Sequence, residues 1–298
     1  MVPMAGGMTN HNYRVRCGGE TFAVRVGHDL PEHGVLRFHE LAAARAAHAA
    51  GISPQVIFAV PGVMVSQFIV GRTLTEQDLR RSHFSDPLLN LLRRCHHDVP
   101  LHLRGPVLMF WVFQVIRNYV RVLHEAPRNP LSDRLASLER QALSLERAIG
   151  PIQLVFGHND LLASNFIDDG ERLWLLDWDY AGFNSPLFDL ANLSSNNGFS
   201  QTQDEELLAR YFGSPPDRER HAAFAAMKCA SLLRETLWSA VSEISSSIDF
   251  DYAAYTVAYL HRFDAMMDAF LQAAAAKACA RTSHGLAAPS GQTHSSRS

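Results

Sequence analysis

The chain has 298 residues, 47% hydrophobic and 19% charged, which excludes intrinsic disorder for most of its length and allows one large unit or two lobes. Its 27 Lys+Arg stand against 30 Asp+Glu for a formal net charge of -3, and no basic run offers the footprint of a nucleic-acid binder. Cys17, Cys95, Cys229 and Cys279 lie far apart without a CxxC pair, which argues against a disulfide framework or a thiolate zinc knuckle. In chain order, residues 13–26 alternate β-branched and aromatic residues around Gly18-Gly19, the pattern of a hairpin. A helix-forming run follows and closes at Gly51, then two strand-like runs flank Pro61-Gly62. Beyond Gly71 the apolar spacing turns helical around 86–97, 107–125 and 131–149. Residues 107–116 are too short and too interrupted to span a membrane and read as a buried helix. Short strands are expected within 152–177 and further helices from about 203, before an Ala/Ser/Thr/Gly/His tail from about 275. The first ten residues lack a basic leader and an apolar signal core, so a cytoplasmic location is expected.

The stretch 155–182, VFGHNDLLASNFIDDGERLWLLDWDYAG, holds the densest chemistry. It sets His158, Asp160 and Asn165 on a loop after one strand and Asp177 directly after the next. A carboxylate such as Asp160 can take a hydroxyl proton, while Asn165 and Asp177 offer hard oxygen ligands for Mg2+ held on phosphates. An HxDxxxxN spacing arises by chance in roughly one chain in thirty of this size, so its surroundings must carry the weight. Those surroundings include a glycine-containing turn, GGMTNHNYRV, ahead of a strand, where backbone N–H groups can approach phosphate. Arg25 lies on the following strand and Glu40 on the next helix, on the face shared with Leu36 and turned toward the sheet.

These blocks, together with SQFIVGRTL at 66–74 and LWSAVSEISSSIDFDYAAY at 237–255, resemble the choline/ethanolamine kinase family, within the aminoglycoside-phosphotransferase and protein-kinase-like superfamily. The resemblance runs in family order from residue 6 to about 270. It implies an α+β, protein-kinase-like bilobal fold, with a small antiparallel-sheet lobe over 1–70, a larger helical lobe over 71–274 and a disordered tail over 275–298. It implies ATP as co-substrate and Mg2+, with Asp160 as catalytic base and Asn165 and Asp177 as metal ligands. Gly7, Thr9, Asn10, Asn12, Arg25 and its partner Glu40 would serve the nucleotide phosphates, and Gln67, Phe68 and Ile69 would form the hinge that receives the adenine. Asp179, Tyr180, Trp238, Phe250, Tyr252 and Tyr255 would bind the acceptor, a small amino alcohol with choline preferred, because a trimethylammonium group is best met by aromatic faces and a carboxylate.

Three departures from the family pattern stand out. Glu235 occupies the place of a second tryptophan of eukaryotic choline kinases, and Asn196-Asn197 the place of a Glu-Trp pair. The aromatic cage is thus thinner, which leaves ethanolamine or another small amino alcohol open. Little chain precedes the glycine turn, so a shortened first strand and weaker ATP binding are expected. An aminoglycoside or thiamine acceptor and a non-catalytic nucleotide-binding module are the alternatives, and the family forms both monomers and dimers. His158 and Asp189 read as residues that orient the loop, and Asp168-Asp169-Gly170 as turn chemistry. Cys95-His96-His97 resembles a metal cluster in text only, because adjacent helical residues point in different directions.

Overall fold

The computed structural model describes residues 1–4, 10–81 and 85–285, with side chains described as far as residue 276. The expected hairpin is strands β2 (His11–Cys17) and β3 (Glu20–Val26), preceded by the two-residue strand β1 (Val2–Pro3). A 3-10 turn at Pro31–His33 leads into helix α1 (Arg37–Ala49), which ends where Gly51 takes a φ of 69. Strands β4 (Val56–Val60) and β5 (Val63–Gln67) complete an antiparallel sheet of order β1-β2-β3-β5-β4. Its register sets Asn12 opposite Arg25, and Arg25 opposite Met64. Because side chains alternate along a strand, that register points the Arg25 side chain at Glu40 of α1.

The chain leaves this sheet through Phe68 and Ile69 and joins a second one. Strand β6 (Arg72–Thr73) pairs with β8 (Phe166–Asp168), which pairs with β9 (Leu173–Leu175). Gly71 makes that crossing possible, since a Cβ there would stand 2.6 Å from the Asp168 carbonyl oxygen. Between these strands come α2 (Glu76–Leu79), α3 (Ser85–His97), α4 (Val99–His102), α5 (Val112–Glu125), α6 (Leu135–Ile149) and β7 (Val155–Gly157). Strand β10 (Gly182–Asn184) pairs back onto β7, and α7 (Pro186–Asn197), α8 (Gln201–Phe212), α9 (Arg218–Ser245) and α10 (Tyr252–Gly285) follow. α9 is buried over most of its length and packs against α5, α6, α7 and α10. Its Ala, Ser and Cys positions let those neighbours approach closely.

Two expectations need correction. Residues 107–111 are extended, and the helix begins only at Val112. The open edge of β10 takes up this segment, with Phe110 N–H donating to the Phe183 carbonyl at 2.9 Å and Phe183 N–H to that of Leu108 at 3.0 Å. At the other end α10 continues past residue 275 to Gly285, because the Ala-rich sequence there has high helix propensity. Residues 286–298 lie outside the described ones. Among the described residues no helix is long and apolar enough to cross a membrane.

Candidate active site

The loop from β7 to β8 is fixed before any functional side chain is placed. Asn159 adopts a φ of 66, which an asparagine tolerates better than most residues. Its amide nitrogen donates to the carbonyls of Tyr180 at 3.0 Å and Gly182 at 3.2 Å, clamping the loop to β10. Asp189, on α7 and fully buried, accepts the backbone N–H of His158 at 2.8 Å and of Asn159 at 2.7 Å, with His96 Nε2 3.0 Å from the same carboxylate. His96 and His158 hold that carboxyl below the ordinary range against the effect of burial. Asn192 accepts the N–H of Leu161 at 2.5 Å. Gly157 fits because a Cβ would meet Asn159 Oδ1 at 2.7 Å. The His158 ring, Nε2 2.8 Å from the Leu176 carbonyl, ties the loop to the end of β9, as its sequence position suggested. Asp168 and Asp169 accept backbone N–H groups of their own turn.

Asp160 emerges from this frame 9% exposed. Its Oδ1 lies 3.2 Å from Arg234 Nη1, and the Asn165 amide nitrogen donates to its carbonyl at 2.9 Å. Burial pushes the Asp160 carboxyl up to about 7, Arg234 pulling it down and Glu235 and Asp177 raising it. With its nitrogen so engaged, the Asn165 side chain has its oxygen left to offer. Asp177, at a φ of 65, stands 3.0 Å from Arg25 Nη2. Two hard oxygen donors suit Mg2+, which is ordinarily held by one or two carboxylates completed by phosphates and water. No cluster of three His, Cys, Asp or Glu able to hold a metal exists among the described residues, so these offer no cage built from such side chains alone.

Arg25 contacts Glu40 as expected and also Asp179, at 2.8 Å. Asp179 accepts from Arg37 at 2.8 Å and from Asn10 at 3.0 Å, and Arg37 reaches Glu40 at 2.7 Å. Although burial pushes Asp179 upward, the two guanidinium groups and Asn10 hold its carboxyl below the ordinary range. Asp179 thus belongs to the arginine network as well as to the wall of the Asp160 cavity.

Two cavities meet here. One, of about 380 Å³, is lined by Asn10, Asn12, Arg25, Glu40, Gln67, Phe68 and Ile69, and on its other wall by Ser164, Asn165 and Asp177. The second, about 50 Å³, is lined by Asp160, Asp179, Tyr180, Arg234, Glu235 and Trp238, and again by Ser164, Asn165 and Asp177. Trp238 Nε1 donates to the Tyr180 hydroxyl at 2.8 Å, and the rings of Tyr252 and Tyr255 each lie 5.9 Å from Trp238. Phe250 is 38% exposed and packs on Tyr252 and Tyr255 without lining that cavity. Asn197 is buried with its amide nitrogen on the Leu161 and Leu193 carbonyls. Gly7 and Thr9 lie outside the described residues.

Sequence reading missed Arg37, Arg234, Asn159 and His96. Arg37 had a signal, standing three residues before Glu40 on one helix face. Arg234 had only the oddity of a charge in an Ala/Ser/Leu run. Beneath it, His33 lies with its ring 5.8 Å from Trp238, and burial, aided by the Arg234 charge, pushes its imidazole down to about 3. An unfolded histidine titrates near 6.5, so the unfolded chain gains the proton first as pH falls. Stability is then full above that pH and lost below it, by about 1 kcal/mol from His33 between pH 7.5 and 5.5. Urea unfolding at both pH values should show this loss, and His33→Gln should reduce it.

The family model described as Choline/ethanolamine kinase matches residues 1–209. The chain belongs to the choline/ethanolamine kinase family. Among members of this family, a choline/ethanolamine kinase family protein from Mesorhizobium loti is 30% identical, with a TM-score of 0.72, over 88% of this chain and 86% of that one. Protein LicA of Haemophilus influenzae is 26% identical over 87% of this chain and 77% of its own length. A probable ethanolamine kinase of Arabidopsis thaliana is 25% identical, over 85% and 75%. The kinase-like fold extends to the aminoglycoside phosphotransferase APH(4)-Ia, at a TM-score of 0.59 and 17% identity over 90% of this chain and 94% of that one. Like its family, the chain is a small-molecule kinase.

Proposed function

We propose that this kinase transfers the terminal phosphoryl group of ATP to the hydroxyl of choline or ethanolamine. The observation that carries the reading is the shared wall: Ser164, Asn165 and Asp177 line both the 380 Å³ cleft and the cavity of Asp160. A phosphoryl donor in one and an alcohol in the other would meet at that wall. Relatives named as choline and ethanolamine kinases support the acceptor class, and a fold neighbour, LicA, is known in complex with AMP.

In this reading Asp160 orients the acceptor hydroxyl and takes its proton, at a carboxylate whose Oδ1 is steadied by Arg234. Arg25 holds nucleotide phosphates with its fork, and Glu40 and Asp179 fix that fork in place. Asn12 and the nearby Asn10 complete the phosphate end, as Gly7 and Thr9 would. Backbone groups of Gln67, Phe68 and Ile69 receive the adenine where the chain passes between the sheets. Asn165 Oδ1 and the Asp177 carboxylate would hold Mg2+, which when bound supplies charge neutralisation on the β- and γ-phosphates. Tyr180 and Trp238 line the cavity that would take the amine end of the acceptor, and Tyr252 and Tyr255 pack against Trp238 without lining it. A boundary near residue 70, between a nucleotide lobe and a catalytic lobe, and the cytoplasmic setting expected from the sequence belong to the same reading.

The test is Mg2+-dependent ADP release across choline, ethanolamine, thiamine and an aminoglycoside. Stimulation by choline or ethanolamine is expected, and a response to thiamine or the aminoglycoside alone would overturn the acceptor assignment. Arg25→Lys loses the bidentate fork, so KM for ATP should rise about tenfold while KM for the acceptor changes less than about twofold. Steady-state kinetics with each substrate varied in turn would check this.

A further inference from the structure

Trp238 and Tyr180 share the Asp160 cavity with two charged side chains that a purely aromatic cage would lack. Glu235 is 2% exposed and Arg234 1%. Arg234 Nη1 is hydrogen-bonded to Glu235 Oε1 and lies 3.2 Å from Asp160 Oδ1. The other Glu235 oxygen accepts from the Tyr255 hydroxyl at 3.3 Å. One guanidinium between two carboxylates leaves that trio with one net negative charge, which a singly charged cationic acceptor neutralises.

Part of the aromatic surface is already in use. The Arg234 guanidinium carbon sits 4.1 Å from the Tyr180 ring centroid, so the protein's own cation occupies that face. Tyr255 stacks on Tyr259 at 4.4 Å. Trp238 is ringed by His33, Tyr252 and Tyr255 at 5.8 to 5.9 Å. A quaternary ammonium carries no N–H and depends on open π-faces and bulk charge. A primary ammonium brings three donors, and a carboxylate has about four lone-pair sites, more than Arg234 and Tyr255 use. The cavity, about 50 Å³, also favours the smaller head group.

We propose that Glu235 selects the acceptor, accepting hydrogen bonds from a primary ammonium, so that the substrate class is a primary amino alcohol in preference to its trimethylated analogue. The inference rests on the amino-alcohol kinase reading above and narrows it, replacing the choline preference expected from the sequence. Asp160 and Glu235 then hold opposite ends of one short molecule, its hydroxyl and its amine, with Arg234 between the two carboxylates.

The deciding measurement is kcat/KM for ethanolamine, N-methylethanolamine, N,N-dimethylethanolamine and choline. Each methyl removes a donor and adds volume, so efficiency should fall stepwise, by about 100-fold or more across the series. Glu235→Gln should shrink the ethanolamine-to-choline ratio by about tenfold or more, through KM above all. Choline turned over as efficiently as ethanolamine by the unaltered chain would overturn the proposal, as would an unchanged ratio in the variant. Should Glu235→Gln fail to fold, the methylation series on the unaltered chain still decides. ADP release stimulated by none of the four would overturn the amino-alcohol reading beneath it, an outcome distinct from a preference for choline.

Discussion

Asp160→Asn is expected to lower kcat by about 10³- to 10⁴-fold while the Kd for ATP changes less than about threefold. The amide cannot accept the acceptor's proton, yet its carbonyl can still face Arg234, and Asp160 lines the small cavity without lining the larger cleft. Rapid-quench or coupled ADP assays give the first quantity, and calorimetry with ATP the second. Affinity falling in step with turnover would remove Asp160 from the role of base and make it a nucleotide contact.

The second large effect falls on stability. Asp189→Ala should cost about 3 to 5 kcal/mol in denaturant unfolding, because it strands the backbone N–H groups of His158 and Asn159 together with the His96 ring inside the protein. The same carboxylate has its titration held below 3.8, so its contribution is intact above that pH and is lost as pH falls through the lower folded value. This is the opposite assignment of groups, though the same direction with acid, as the His33 effect. A cost under about 1 kcal/mol would mean that water replaces the carboxylate and that the loop is held by Asn159 alone.

How far the text of the chain reveals this arrangement depends on where the partners lie. The hairpin of β2 and β3 and the turn between β4 and β5 were readable because period-two runs flank Gly or Pro. The stretch 155–182 was readable because one loop and two short strands bring Asp160, Asn165 and Asp177 into the same text. Glu40 was placed correctly by helix periodicity, and the structure adds that it bridges two arginines. Arg234 was not readable, because its partner Asp160 is 74 positions away and nothing local distinguishes a buried arginine from a snorkelling one. Residues 107–111 were misread because an apolar run alone cannot tell a helix from an extended segment pairing with a distant strand. Asp179 was read through the acceptor, and the arginine network that claims it appears only in three dimensions.

α9 carries Lys228, Ser231, Arg234, Trp238 and Ser242 at successive helical turns, and each bonds to a different element: Asp204 of α8, Asn192 of α7, the Asp160 loop, Tyr180 and His33. The groups that touch the proposed acceptor's amine end therefore sit largely on one rod, whereas those proposed for phosphoryl transfer sit on the turns around β7 to β9. Inheritance can act on these two texts separately. A few exchanges along α9 that spare Arg234 would let the lineage drift from one amine to another while its phosphorylating chemistry passes down unaltered.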